Sequence, residues 1–253
     1  MLVSNEVGNA FYRDHFEHVG RRADFGGETR AVNVLRALDS LDAFRRRPPR
    51  PGVSWRDLFE RAAAVDADAA AVRAAVDDRR AEPPGELATD AADSVTEPRD
   101  PSPARVVADA DVFAADLLVD GDARDALDGV RAHSWVTLVA SDPLLDDAEV
   151  VVAAFADDGL AADWRARVEQ LREPVSHPAG DHPALASTYR GGAMHLLTYA
   201  EDLRSAGAGA TLRGRVETSV RSPRAFATVF DPESLYAAVE DGEYPGPDRD
   251  PRA

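Results

Sequence analysis

Cysteine is absent from the 253-residue chain, which excludes disulfides, thiolate nucleophiles and zinc–thiolate sites. Lysine is absent too, so all 29 basic residues are arginine. No apolar run reaches the roughly 20 residues that a membrane-spanning helix needs, and residues 1–30 are too polar for a signal peptide. A soluble, cytoplasmic protein with no membrane attachment is therefore expected. No Gly-rich phosphate loop, Ser-His-Asp set or dinucleotide fingerprint occurs. Positive charge is scarce, with 29 basic against 46 acidic residues and a formal charge of −17. This excludes avid, non-specific nucleic-acid binding; a nucleic-acid substrate would need a local arginine patch and a metal ion. In excess are alanine, arginine and aspartate, the last outnumbering glutamate about two to one. Dense surface carboxylates hold hydration water while molar salt screens their repulsion. A salt-adapted, haloarchaeal source is the expectation, favoured by the missing lysine over an acidic protein from a GC-rich bacterium.

The stretch "AEPPGELATDAADSVTEPRDPSPA" (81–104) is rich in Pro, Asp, Ser and Ala without apolar periodicity and reads as a disordered linker. It separates a helical N-terminal region (1–80) from an α/β domain (105–245) and a loose tail (246–253). In the N-terminal region Ala31, Val34, Leu35, Leu38, Leu41 and Phe44 follow helical spacing. A second helical pattern starts at Ser54, with Asp57 as a capping-box partner, and continues through Leu58, Ala62, Val65, Ala69, Val72 and Val76. Asp66 and Asp68 can break it in two. This region suits self-association or a protein partner and carries no assigned chemistry. His15 and His18 lie one turn apart but lack a third ligand. Beyond the linker, strand-like runs ("RVVADA", "WVTLVA", "AMHLLTY", "RVETSV") alternate with helical ones. The pattern predicts an α/β fold with a mostly parallel sheet covered on both faces.

The strand "RVVA" ends in Asp109 and Asp111, the helix after Ser141 carries Asp146, Asp147 and Glu149, another helix opens at Asp181, and the strand "AMHLL" ends in Thr198. In open α/β sheets, ligands bind at the carboxyl edge where such residues collect. Two carboxylates about 4 Å apart repel by roughly 4 kcal/mol at an effective dielectric of 20. Mg²⁺ or Mn²⁺ between them removes that cost, because hard cations prefer carboxylate oxygens. The same acids also read as the solvated face of an acidic protein, and Asp181 as a simple helix cap.

The order "VVADADVFAADLL", "LVASDPLLDDAEVVVAAF", "GDHPALASTYRGGAMHLLTYAEDL", "VRSPRAFATVF" resembles the PIN domains, Rossmann-like metal-dependent ribonucleases, over about 105–230. The resemblance implies Asp109, Asp147 and Asp181 as metal-binding catalytic acids, with Asp111 and Thr198 supporting them. It implies metal-assisted hydrolysis of an RNA phosphodiester, with Arg190, Arg213, Arg215, Arg221 and Arg224 as candidates for a phosphate-facing patch. At the family's usual fourth-acid position this chain has Ala200. A PIN-like binding or scaffold protein without catalysis is therefore the alternative. "DADVF" also resembles the haloacid-dehalogenase-like phosphatases, which usually need a lysine that this chain lacks.

Overall fold

The computed structural model describes residues 52–81, 97–178, 180–205 and 218–253. The helix read over 31–44, His15, His18, most of the linker (82–96), Arg213 and Arg215 lie outside the described residues.

Two helices precede the sheet. Helix α1 (Trp55–Ala62) starts at a capping box in which Ser54 and Asp57 bond reciprocally, Asp57 N–H donating to Ser54 Oγ at 3.1 Å. Helix α2 (Ala69–Ala81) follows a break over 63–68, where the acidic Asp66 and Asp68 interrupt the apolar pattern. Asp68 receives the Ala71 N–H at 2.7 Å. The apolar faces of α1 and α2 pack inward: Trp55, Leu58, Phe59, Ala62, Val72 and Val76 are buried in the same core as the sheet. Burying a side chain of this kind contributes about 1.5–3 kcal/mol, so Val72 and Val76 are the main apolar anchors of α2.

The α/β unit begins with β1 (Ser102–Ala108), so Ser102–Ala104, within the stretch read as linker, already pair as strand. Helices α3 (Ala110–Leu118) and α4 (Asp122–Arg131) lead to β2 (Thr137–Ala140). Helices α5 (Asp142–Phe155) and α6 (Asp158–Glu169) lead to β3 (Arg172–Pro174), a short strand without a readable apolar pattern. Gly159 lies in the first turn of α6, which Asp157 caps through the Leu160 N–H. Then come α7 (Pro183–Gly191), β4 (Ala193–Leu197), α8 (Glu201–Arg204), β5 (Ser219–Arg221), α9 (Pro223–Val229) and α10 (Pro232–Val239).

All four strand pairings are parallel and the order is β3-β2-β1-β4-β5. This is an α/β fold with an all-parallel sheet flanked by helices, consistent with a Rossmann-like architecture. The strands read as near-continuous apolar runs because they are covered on both faces: Val106, Val107, Ala108, Val139, Leu196 and Leu197 are fully buried. Gly192, at φ +61°, ends α7 in the left-handed region; a Cβ there would lie 2.3 Å from the Asp100 carbonyl oxygen. No helix of the described residues is long and apolar enough to cross a membrane.

All nine residues of α3 are buried, including two aspartates. Asp116 is met by both Arg131 terminal nitrogens, at 2.7 and 2.9 Å. The guanidinium groups of Arg124 and Arg131 lie 3.8 Å over Phe59 and 4.6 Å over Trp55, which docks α1 onto α4. The residues read as a loose tail are tied to the same face. Arg56 N–H donates to the Arg252 carbonyl at 3.0 Å, Arg252 pairs with Asp128 at 2.9 Å, and Ser134 N–H donates to Asp248 at 2.8 Å.

Candidate functional site

The chain winds from β1 through β2 to β3 on one side of the sheet, then returns to build β4 and β5 on the other. The crevice between the carboxyl ends of β1 and β4 is the topological switch point, where sheets of this type bind ligands. Asp109 directly follows β1 and caps α3, accepting the Ala110 N–H at 2.8 Å. Its own N–H donates to the Leu197 carbonyl at 2.8 Å, which locks it to the end of β4. Thr198, directly after β4, is fully buried and its hydroxyl donates to Asp109 Oδ2 at 3.1 Å. One residue on, the Tyr199 N–H donates to Asp111 Oδ2 at 2.9 Å. Helix α5, capped by Ser141, directs Asp147 to the same place.

Asp109 and Asp147 meet on a single cation, the guanidinium of Arg80 in the last turn of α2. Arg80 Nη2 donates to Asp109 Oδ1 at 2.7 Å and Nε to Asp147 Oδ2 at 2.8 Å. Arg80 Nη1 lies 3.0 Å from His182 Nε2. A guanidinium can only donate, so Nε2 is the acceptor and the imidazole is neutral with its proton on Nδ1. Burial, followed by the charge of Arg80, agrees with this, holding His182 down to about 4. Arg79 adds a looser contact to Asp147, at 3.9 Å.

The environment separates the three acids. Burial disfavours ionised Asp109, but the charge of Arg80 and the hydrogen bonds from Arg80 and Ala110 outweigh it and bring the carboxyl down to about 2. Burial and then the neighbouring Asp109 charge push Asp111 up to about 8, so it is largely protonated at neutral pH. Asp147 is raised by burial, which exceeds the opposing pull of Arg80. Asp111 Oδ1 is buried and has no hydrogen-bond partner among the described residues.

Of the acids expected to converge, Asp109, Asp111 and Asp147 do so, with Thr198. Asp181 does not. It is exposed, and its backbone rather than its side chain makes the contacts seen: its N–H donates to the Pro178 carbonyl at 3.2 Å and its carbonyl meets His177 Nε2 at 2.9 Å. The cap of α7 is His182, one residue later, because Pro183 takes the first helical position. His182, not Asp181, faces the crevice. Asp146 turns away to pair with Arg165 at 2.7 Å. Among the proposed phosphate contacts, Arg190 lies at the end of α7 opposite the crevice, Arg224 is exposed on α9, and Arg221 ends β5 at the ligand-binding edge of the sheet. The sequence reading missed Arg80 and His182 as members of the site. The signal for Arg80, a "DDRR" at a helix end, looks like an ordinary dipole-complementing last turn.

Among the described residues no group of three or more His, Asp or Glu side chains is arranged to hold a metal ion. In donor type the crevice fits a hard divalent cation: it offers the Asp109 and Asp147 carboxylates and the unpartnered Asp111 oxygen. In spacing these donors are set around the planar fork of Arg80, and an ion would have to replace it.

Nothing matches among curated proteins or among solved structures. A family described as "Family of unknown function (DUF7384)" matches residues 100–252. That segment holds the whole sheet and every acid of the crevice, whereas α2, with Arg79 and Arg80, lies before it. Covering more than half of the chain, the match shows that the protein belongs to the family of unknown function DUF7384.

Proposed function

We propose that the crevice is a PIN-like, cation-dependent site for phosphodiester hydrolysis acting on RNA, in a salt-adapted cytoplasmic protein. The observation that carries this reading is the origin of the positive charge. Every arginine paired with Asp109 or Asp147 among the described residues comes from α2, outside the family-matched segment. The matched segment supplies all three carboxylates, and with α2 packed over them they are buried. Burying uncompensated carboxylates costs several kcal/mol each, so the segment needs a cation at this point. The order of the four acidic and apolar motifs, and the location at the switch point, support phosphodiester chemistry.

Bound Mg²⁺ or Mn²⁺ would lower the pKa of a water and stabilise charge on phosphoryl oxygens. Asp109, Asp147 and Asp111 Oδ1 would hold it. Thr198 orients Asp109 by its hydroxyl, and the neutral His182 Nε2 offers an acceptor beside it. A second reading, a PIN-like binding or scaffold protein without catalysis, is favoured by the exposed Asp181 and by Ala200 at the fourth-acid position.

The test is cleavage of single-stranded RNA in molar KCl with Mn²⁺, for wild type, Arg80→Gln and Asp109→Asn. The hydrolase reading expects Mn²⁺-dependent cleavage that Asp109→Asn abolishes. Intact RNA with both wild type and Arg80→Gln leaves the binding-protein reading in its place.

A further inference from the structure

We infer that α2 is an inhibitory arm acting in cis: Arg80 closes the crevice by standing where a divalent cation would bind, and its withdrawal opens the site. This rests on reading the crevice as a cation site. The two occupants exclude each other, because Arg80 uses Asp109 Oδ1 and Asp147 Oδ2, the oxygens an ion would need.

The arm is built to move. Arg80 is the penultimate residue of α2, and its flexible stem can swing without displacing the helix. Apolar anchoring of α2 rests on Val72 and Val76, the nearer of them one helical turn before Arg80. The tie from Arg73 on α2 to Asp202, at 3.9 Å, is long and part-exposed. Such pairs hold weakly and are screened further by salt. By contrast, the groups that Arg80 covers are rigid. Asp109 and Thr198 are fully buried, Asp111 is 2 % exposed, and backbone bonds fix both ends of the crevice. Loss of Arg80 thus leaves a preformed cluster of oxygens, one of them already without a partner. The arm also lies outside the family-matched segment.

The experiment measures Mn²⁺ binding to the full chain in molar KCl by electron paramagnetic resonance of the free ion. The proteins compared are wild type, Arg80→Gln and Arg80→Gln/Asp109→Asn. Gln keeps the stem and removes the charge. Arg80→Gln should bind one Mn²⁺ at least about tenfold tighter than wild type, the scale set by removing one cation from contact distance. The double variant should lose that site. A folded Arg80→Gln protein that binds no tighter than wild type, or binds independently of Asp109, overturns the inference.

If the variant does not fold, hydrogen exchange on wild type decides. Faster exchange of the Arg80 Nε–H, which bonds Asp147 in the closed crevice, on adding Mg²⁺ supports the arm, and unchanged exchange overturns it. The two proposals fail separately. Tight Mn²⁺ binding by Arg80→Gln without RNA cleavage keeps the arm and removes the hydrolase. Equal Mn²⁺ binding with Mn²⁺-dependent cleavage by wild type does the reverse.

Discussion

Replacing Asp111 by asparagine interrogates the electrostatics of the crevice directly. Asp111 is 2 % exposed, and burial together with the Asp109 charge lifts its carboxyl from 3.8 to about 8. Between those values the folded protein keeps a proton that the unfolded chain has released. The unfolded state then binds fewer protons, so stability falls as pH rises, by about 1.4 kcal/mol per pH unit. From about pH 5 to about pH 7.5 the loss is about 3 kcal/mol. Asparagine has no such proton, and its carbonyl still accepts the Tyr199 N–H. His182, neutral in the fold with a value of about 4, contributes the opposite slope over part of this window. Asp109, near 2, titrates below it. Both terms are common to wild type and variant and cancel in their difference. Relative to wild type, Asp111→Asn should gain about 3 kcal/mol on moving from about pH 5 to about pH 7.5, measured by urea denaturation in molar KCl. Parallel pH profiles for the two proteins would refute the assignment of a protonated Asp111.

The remaining expectations concern the frame that holds the crevice. Arg131→Met strips the fully buried Asp116 of its bidentate partner and should cost about 3–5 kcal/mol in chemical denaturation. A loss below about 1 kcal/mol would mean that Arg124 alone satisfies Asp116. Gly192→Ala forces a left-handed φ of +61° on a residue with a Cβ and drives that atom to 2.3 Å from the Asp100 carbonyl. A loss of at least about 2 kcal/mol should follow, and an unchanged denaturation midpoint would rule out this tight turn between α7 and β4.

Much of the fold is legible in the sequence because its signals are local. Ser54 and Asp57, Pro183 and Gly192, and the apolar runs 106–108 and 138–140 each settle their own backbone through caps, fixed φ or burial on both sheet faces. Strand β3 escapes such reading because its three residues, Arg172–Pro174, are not buried and owe their conformation to pairing with β2. The site divides the same way. Asp109 and Thr198 are readable because they end strands, and strand ends meet at the switch point. Asp181 misleads because Asp before a His-Pro pair looks like a helix cap, whereas Pro183 moves the cap to His182.

In a chain with 46 acidic residues, an acid's identity says little about its role; its burial says more. Asp146 and Asp147 are adjacent in sequence, yet one pairs with Arg165 at the surface and the other lies 8 % exposed against Arg80. Helical spacing distinguishes the two only once the neighbours of α5 are known. Arg80 is harder still, since its relation to Asp109 spans 29 positions and the intervening chain. The physical constraint runs from the acids to the arginine and not the other way. Two carboxylates buried at the crevice require a positive charge between them, and segment 100–252 supplies none that pairs with them among its described residues. The requirement is therefore set by the family's own segment and met by a helix outside it. Under the inhibitory-arm proposal, that separation lets withdrawal of α2's arginine exchange a guanidinium for a metal ion.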